Sequence, residues 1–310
     1  MKTNLIFLIL ILLVINLPAQ QYKVVEKVQL TFASEGEFYF PQITGQGNTV
    51  AFSGPNFTGL YLYDLNTDKK TLITEDPGAG YNPVFINDGQ QVVYRTYQYK
   101  GPRRYSSLVS LNLITKEKKY IEQEQRDLSI PLMANPSTVG YVNNGQLKSF
   151  HAASFNTNSA PVSEKPLVII ENRSIVLYGN QSRKVLKPLG DGIYIWPLIS
   201  PDGTKLLFTL AGRGTYISDL NGNIIIDLGV ADAPQWSPDG EWIAFMDDKD
   251  DGDNYTASDI YITKIDGTSR TALTNTSDEI EMYPAWGTDN NKLVCATNRG
   301  EIFLLKLSTE

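Results

Sequence analysis

The sequence is poor in the side chains on which most hydrolytic and metal-dependent chemistry depends. His151 is the single histidine among 310 residues, and Cys295 is the single cysteine. A Ser-His-Asp triad needs a histidine held between a nucleophile and an acid, and no Gly-x-Ser-x-Gly elbow accompanies this one. Multi-histidine metal sites are excluded by count. We therefore expect His151 to be a surface or hairpin residue, and the chain to be a non-enzyme without a cofactor.

The acidic loop from Asp247 to Asn254 is the clearest candidate for binding a cation. Clustered carboxylates hold Ca²⁺ through several oxygens. With Gly252 as the sixth position of a calcium loop, Lys249 falls on a ligand position and Ser258 replaces the terminal glutamate. We interpret the segment as a solvated loop without a metal. A calcium site remains the alternative, with three ligands: Asp247, Asp251 and Asp253.

Recurring β-hairpins are the elements that would position these residues. The stretch from Asp232 to Phe245 contains a proline, then Ser-Pro-Asp-Gly, then an apolar strand, a pattern typical of a tight hairpin. Related patterns recur along the chain, and the last of them includes Cys295 at a position expected to be buried. The anchoring prolines are Pro41, Pro83, Pro131, Pro197, Pro234 and Pro284. Their intervals of 37 to 66 residues are typical of a β-propeller.

Each unit continues with a second pair of alternating strands, as in Gly214 to Gly229. Four strands in each of six units predict an all-β, six-bladed propeller with four-stranded blades. The last unit, which ends at Glu301 to Glu310, lacks its fourth strand. We expect the N-terminal segment Tyr22 to Phe32 to supply it, closing the ring and covering an exposed edge. The domain would cover residues 21–310.

The repeat resembles that of TolB-type β-propellers. The resemblance rests on the proline, the Ser-Pro-Asp-Gly turn and the apolar triplet, which are closest around Pro197 and Pro234 and poorest around Pro131. It implies a non-enzymatic scaffold that binds proteins of the cell envelope. TolB itself carries an additional N-terminal α/β domain, and here the propeller follows the N-terminal apolar segment directly.

The N-terminus and the charge of the chain bear on its location. Lys2, the apolar run from Leu5 to Ile15 and the Pro18-Ala19 pair predict a cleaved signal peptide over residues 1–20. Eleven apolar residues are few for a membrane span, so we expect an exported, monomeric protein in the periplasm or outside the cell. The formal net charge of -7 argues against nucleic acid as a partner.

The segments that enter the innermost strands form the candidate binding site. They lie on one face of a propeller, around its central channel, and carry many aromatic side chains, which suit partner or ligand binding. The predicted ring is Tyr39, Tyr81, Tyr194, Trp196, Asp232, Met282 and Tyr283. An envelope or periplasmic protein is the predicted partner. The alternatives are a propeller that binds a neutral glycan or small molecule, and a propeller lyase or hydrolase acting on a polysaccharide.

Overall fold

The chain forms a closed ring of antiparallel β-sheets. A computed structural model describes residues 21–151, 165–179 and 182–309, so the signal peptide predicted for residues 1–20 lies outside the described residues. Within these ranges there are 26 strands and two short 3₁₀ helices, and no helix has the length and apolarity needed to cross a membrane.

The strands follow one another with short connections. In chain order they are β1 (Tyr22–Gln29), β2 (Tyr39–Thr44), β3 (Thr49–Ser53), β4 (Thr58–Asp64), β5 (Lys69–Pro77), β6 (Val84–Ile86), β7 (Gln91–Lys100), β8 (Arg103–Asn112), β9 (Lys118–Gln125), β10 (Leu132–Asn135), β11 (Thr138–Asn143), β12 (Gln146–His151), β13 (Leu167–Glu171), β14 (Ser174–Gly179), β15 (Ser182–Leu186), β16 (Tyr194–Ile199), β17 (Lys205–Leu210), β18 (Gly214–Asp219), β19 (Ile224–Gly229), β20 (Asp232–Trp236), β21 (Trp242–Asp250), β22 (Tyr255–Lys264), β23 (Thr271–Ala272), β24 (Glu281–Trp286), β25 (Lys292–Thr297) and β26 (Ile302–Thr309).

These strands make seven blades in the described part of the chain. Blades 1 and 2 are β2–β5 and β6–β9, blades 3 and 4 are β10–β12 and β13–β15, and blades 5 and 6 are β16–β19 and β20–β23. Blade 7 combines β24–β26 with β1. The all-β propeller class is confirmed, whereas the six four-stranded blades predicted from the sequence are wrong: there are seven, and blades 3 and 4 show three strands each.

The extra blade lies in the longest interval between anchoring prolines, from Pro131 to Pro197. Blade 4 begins with a proline, Pro166, directly before β13, but no Asp-Gly turn follows it. Its first hairpin instead reverses at Asn172 and Arg173, whose φ angles are 48° and 63°. This pair of left-handed residues makes a tight hairpin turn without glycine, so the sequence carried little sign of it.

The N-terminal strand closes the ring, as predicted. β1 pairs antiparallel with β26 from Tyr22 opposite Thr309 to Gln29 opposite Phe303. The Lys27 ammonium on β1 reaches two carboxylates of blade 7, Glu279 and the fully buried Glu281, the latter at 2.9 Å. The closing strand therefore contributes both backbone pairing and the counter-charge of a buried carboxylate.

The core is divided among the interfaces between neighbouring blades. Seven clusters of buried apolar side chains are found in the described residues, and each joins two adjacent blades. Trp242 of blade 6 packs with Leu293 of blade 7, for example, and Val50 of blade 1 packs with Val294 of blade 7. Seven interfaces for seven blades show that the ring is complete without a gap.

The Ser-Pro-Asp-Gly turns explain the motif seen in the sequence. The Ser237 hydroxyl donates to Asp239 at 2.5 Å and accepts the backbone N–H of Trp242 at 2.9 Å, while Gly240 takes a φ of 76°. Ser200 and Asp202 repeat this arrangement in blade 5. The motif therefore stabilises the turn between the first two strands of a blade and does not mark a binding surface.

Candidate active site at the channel mouth

The aromatic and carboxyl side chains that form the candidate site lie on one face of the propeller. In an antiparallel meander, the start of the first strand and the connection between the second and third strands lie at the same edge. Asp232 at the start of β20 therefore lies beside the β21–β22 connection, and Tyr39 at the start of β2 lies beside the β3–β4 connection. We call this face the channel mouth.

A repeated backbone irregularity directs side chains into the mouth. In five blades the residue before the anchoring proline has a left-handed φ between 45° and 55°: Phe40, Asn82, Trp196, Ala233 and Tyr283. Four of these residues coincide with a shift in register between the first two strands. A left-handed bulky residue costs on the order of 1–3 kcal/mol and usually marks a functional position. Such bulges re-aim side chains, and two of the five, Phe40 and Tyr283, contact each other at the mouth.

Four aromatic rings form a continuous row across blades 7, 1 and 2. The ring centroids of Tyr283 and Phe40 are 4.4 Å apart, those of Phe40 and Phe57 are 4.3 Å apart, and those of Phe57 and Tyr81 are 4.7 Å apart. The guanidinium of Arg95 lies 5.9 Å from the centroid of the Tyr81 ring. This aromatic row offers apolar faces of the kind that stack on sugars or flat ligands.

A pair of carboxyl groups lies beside the Tyr283 end of the row. Asp232 is paired across the strands with Met246, which makes Asp248 its diagonal neighbour on the same face of the sheet. The Asp248 Oδ1 is buried without a hydrogen-bond partner in the described residues, and the nearby charge of Asp232 disfavours a second negative charge there. Burial, and then the charge of Asp232, raises the pKa of Asp248 to about 7. Burial also raises the pKa of Asp232.

Two tyrosines border this pair. Burial raises the pKa of Tyr255 to about 12, with further contributions from Tyr283 and Asp248. Burial likewise raises the pKa of Tyr283, while a hydrogen bond with Tyr255 opposes that increase. Both hydroxyls are protonated near neutral pH, and because one of them donates to the other, one phenolic proton remains as a hydrogen-bond donor for the mouth. A carboxyl pair that shares a proton near neutrality, beside phenolic donors, is suited to proton transfer.

The structure brings together only part of the predicted ring. Tyr81 and Tyr283 belong to the aromatic row, Asp232 belongs to the carboxyl pair, and Tyr39 lies beside Phe40 with its hydroxyl 3.2 Å from Glu37. Trp196 is half-buried against the cluster between blades 6 and 7. The other two predicted residues, Tyr194 and Met282, are buried in the core and offer no surface to a partner.

The acidic loop is organised by its own contacts. Asp247 forms an ion pair with Arg270 at 2.8 Å, and Asp251 accepts the backbone N–H groups of Asp253 and Asn254. No grouping of three or more His, Cys, Asp and Glu side chains suited to a metal ion occurs in the described residues. His151 ends β12, where its Nδ1 lies 2.8 Å from the Thr138 hydroxyl. Cys295 is fully buried, as expected, and burial raises the pKa of its thiol.

Sequence reasoning missed Asp248, Tyr255, Phe57 and Arg95. Asp248 lies within the acidic loop, but only its cation-binding potential was considered. Asp248 lies beside Asp232 because of the bulge at Ala233. Between the paired positions, β20 advances three residues, from Asp232 to Gln235, while β21 covers two, from Ala244 to Met246. Without that bulge Asp232 would face Asp247, and the pair would not exist. Arg95 lies on the hairpin of β7 and β8, which have ten residues each. The length of this hairpin is the sequence signal that could have revealed it.

No protein-family model and no curated protein sequence matches this chain. Solved structures with the same fold include two lyases. An oligogalacturonate lyase in complex with manganese has a TM-score of 0.51 at 14% identity, covering 92% of this chain and 95% of the other. An oligogalacturonate lyase from Vibrio parahaemolyticus has a TM-score of 0.50 at 15% identity, covering 90% and 80%. At these identities the likeness shows the propeller fold alone, and the TolB type remains a prediction.

These findings correct the prediction of a non-enzymatic scaffold as the leading function. Both of these solved propellers, which align with 90% or more of this chain, are lyases by name. The mouth also contains a carboxyl pair poised near neutral pH, which the sequence analysis had not recognised.

The described residues do not offer a group of three or more ligands for a metal such as the manganese named for the first of these structures. The chain has one histidine, which is engaged with Thr138, and the described residues hold no cluster of three potential ligands. We therefore derive no catalytic step through a metal. Any chemistry at this mouth is assigned to the carboxyl pair and its tyrosine neighbours.

Proposed function

We propose that this protein is a carbohydrate-cleaving enzyme that acts by β-elimination on a uronate-containing chain. The observation that carries the proposal is the placement of Asp232 and Asp248 as diagonal neighbours at the end of the aromatic row. The fold neighbours are named for a lyase activity on oligogalacturonate, which supports the same class of chemistry.

The closeness of the two carboxyl groups favours elimination over hydrolysis. Glycosidases that use two carboxyls keep them about 5–5.5 Å apart when retaining and about 6.5–9.5 Å apart when inverting. Asp232 and Asp248 are diagonal neighbours on one face of the same sheet, so they lie on one side of the mouth rather than on the two sides of a bound sugar. Proton transfer on one side of a substrate, by contrast, requires a base and an acid near each other.

The proton balance of an elimination suits a pair that holds one proton. The ionised member, Asp232, takes the proton from the carbon next to the uronate carboxylate. The C–O bond to the neighbouring sugar breaks, a C=C bond forms, and the protonated member, Asp248, gives its proton to the departing oxygen. The pair ends the cycle with one proton, as it began, so no external acid or base is consumed.

The tyrosines and the aromatic row would hold the substrate during this step. The hydroxyls of Tyr255 and Tyr283 keep one phenolic proton that can be donated to a sugar oxygen, and Phe40 and Phe57 offer faces for stacking. The overall charge of -7 does not preclude an anionic substrate, because charges more than about 10 Å away are screened at physiological salt. Protonation of Asp248 also removes one negative charge from the mouth.

The test is cleavage of oligogalacturonates by the purified protein, followed by the ultraviolet absorbance of the unsaturated product and by new reducing ends. We expect both signals from the wild type, and a loss of about 10²–10⁴ in kcat/KM for Asp248→Asn, the range typical of a positioned general acid. Asp253→Asn, with the same change of charge in the same hairpin connection, is the matched control and should keep full activity. Reducing ends without absorbance would show hydrolysis, and binding without cleavage would show a lectin-like propeller; either result contradicts the proposal.

The TolB-type repeat and the export of the protein are two further proposals. N-terminal sequencing of the expressed protein tests the second. The Ser-Pro-Asp-Gly hairpins support the repeat type, and the apolar run from Leu5 to Ile15 supports a cleaved signal peptide. N-terminal sequencing of the protein recovered from the periplasm or medium should begin at Gln20 or Gln21. Recovery of the uncleaved chain in the cytoplasm would contradict export.

A further inference from the structure

An arginine-lined pocket lies beyond the far end of the aromatic row, between blades 2 and 3. It has a volume of about 380 Å³ and is lined by Arg95, Pro102, Arg104, Ser106, Arg126, Asp127 and Leu128. Arg95 is on β7 and Arg104 on β8, while Arg126 follows β9. We call this the arginine pocket. The sequence analysis did not assign it a role.

The three guanidinium groups are held in place before any ligand arrives. Arg95 donates to the Leu128 carbonyl at 2.8 Å, and Arg126 donates to the Arg104 carbonyl at 2.8 Å. The Arg104 guanidinium lies 4.6 Å from the centroid of the Tyr97 ring. Backbone carbonyls and rings fix these side chains without neutralising them, so their charges remain available to an anion.

The pocket lacks internal charge compensation. In the described part of the chain, none of the three arginines has a carboxylate oxygen within ion-pair distance. Asp127 lines the pocket as an exposed residue and is the one acidic group there. Burial, and then the charge of Arg104, lowers the pKa of Arg95. Three cations facing one acid leave an excess of positive charge that an oxyanion would relieve.

The pocket continues the surface of the channel mouth. Arg95 lies over the ring of Tyr81, which is the last member of the aromatic row that begins beside the carboxyl pair. An extended ligand can therefore touch the carboxyl pair, the row and the arginine pocket at once. The side chains of Tyr97, Tyr99 and Tyr105 on the same hairpin add further rings near the arginines.

We propose that the arginine pocket is a distal subsite that binds the carboxylate of a uronic acid unit, several units away from the bond that is cleaved. A planar carboxylate matches the two-donor fork of a guanidinium, and an arginine fixed in advance loses little freedom when it binds. The saccharide part of this inference rests on the proposed function; the anion-binding part rests on the pocket alone. Sulfate and phosphate groups share the relevant chemistry, so the test includes them.

The experiment is titration calorimetry of the full chain with trigalacturonate, its methyl ester, inorganic sulfate and inorganic phosphate. We expect trigalacturonate to bind, and the neutral methyl ester to bind at least tenfold more weakly. Arg104→Gln should weaken binding of trigalacturonate by about 10- to 100-fold, the range typical of a hydrogen bond to a charged group. Arg104→Lys, which keeps the charge but not the fork, should recover only part of the loss.

Arg103→Gln is the matched control, because Arg103 adjoins Arg104 in the same strand but does not line the pocket. Equal affinity of Arg103→Gln and Arg104→Gln would overturn the proposal, as would binding of sulfate or phosphate without binding of trigalacturonate. If the arginines govern binding but no cleavage occurs, the subsite stands and the proposed function fails; if Asp248 governs cleavage but the arginines do not govern binding, the reverse holds.

Discussion

Replacing Asp248 by asparagine tests the carboxyl pair independently of any substrate. The asparagine amide replaces the carboxyl by a group that never acquires a charge. In the wild type, folding raises the pKa of Asp248 from 3.8 to about 7. A raised carboxyl pKa stabilises the folded state fully below pH 3.8, and this contribution is lost as pH rises toward 7.

The expected difference in stability between Asp248→Asn and the wild type follows from the size of the pKa shift. At about 1.4 kcal/mol per pH unit, the full shift would correspond to at most about 4 kcal/mol. The mouth is open to water, so solvent screening reduces this value, and we expect roughly 2 kcal/mol. For a chain of this size that difference corresponds to a melting temperature about 5 °C higher for Asp248→Asn at pH 8 than for the wild type.

Thermal melts between pH 4 and pH 9 would measure the effect. The difference in melting temperature, Asp248→Asn minus wild type, should be near zero at pH 4, grow through pH 7 and stay constant above about pH 8. Asp253→Asn, in the exposed connection, serves as the control and should not show this rise. A difference that is flat across the range, or that shrinks as pH increases, would refute the assignment of a shared proton.

The remaining predictions concern the rest of the site and the ring. The kcat/KM for oligogalacturonate should fall about tenfold per pH unit above pH 7, as the pair loses the proton carried by Asp248; pH–rate profiles check this. Phe57→Ala should raise KM about tenfold with little change in melting temperature, because Phe57 stacks on Phe40 at the surface; steady-state kinetics and melts decide it. Lys27→Ala should lower stability by about 3 kcal/mol, since it removes the cation that compensates the buried Glu281; urea unfolding measures it. Arg173→Gly should raise stability by about 0.5 kcal/mol, because glycine accepts the φ of 63° without strain; the same unfolding experiment, with an unchanged m-value, would confirm it.

The sequence revealed the fold class because the hairpin turns have chemical requirements. A turn such as Ser237-Pro238-Asp239-Gly240 is recognisable wherever it recurs, since each residue has a defined role in it. Blade 4 uses Asn172 and Arg173 instead, and an arginine in a left-handed conformation leaves no such mark. The count of blades failed at the point where the turn is determined by the surrounding sheet rather than by its own residues.

The site was predictable only in outline. The rule that strands of a propeller begin at the mouth predicts one face for Tyr81, Tyr283 and Asp232, and the structure places Tyr81 and Tyr283 in one row of rings with Asp232 at the start of β20. The carboxyl pair was not predictable, because one bulged residue decides whether Asp232 faces Asp247 or lies beside Asp248. Long-range proximity of this kind depends on register, and register is a property of the folded sheet.

The left-handed residue before each anchoring proline has a consequence for how this surface can change. The five blades that carry it place a phenylalanine, an asparagine, a tryptophan, an alanine and a tyrosine at equivalent positions. The backbone is held by the proline and the neighbouring strand, so the blade tolerates side chains of very different size and polarity there. At Phe40 and Asn82 specificity can therefore change one blade at a time, whereas Trp196, Ala233 and Tyr283 also pack in the core between blades 6 and 7, so that a change there alters this interface as well.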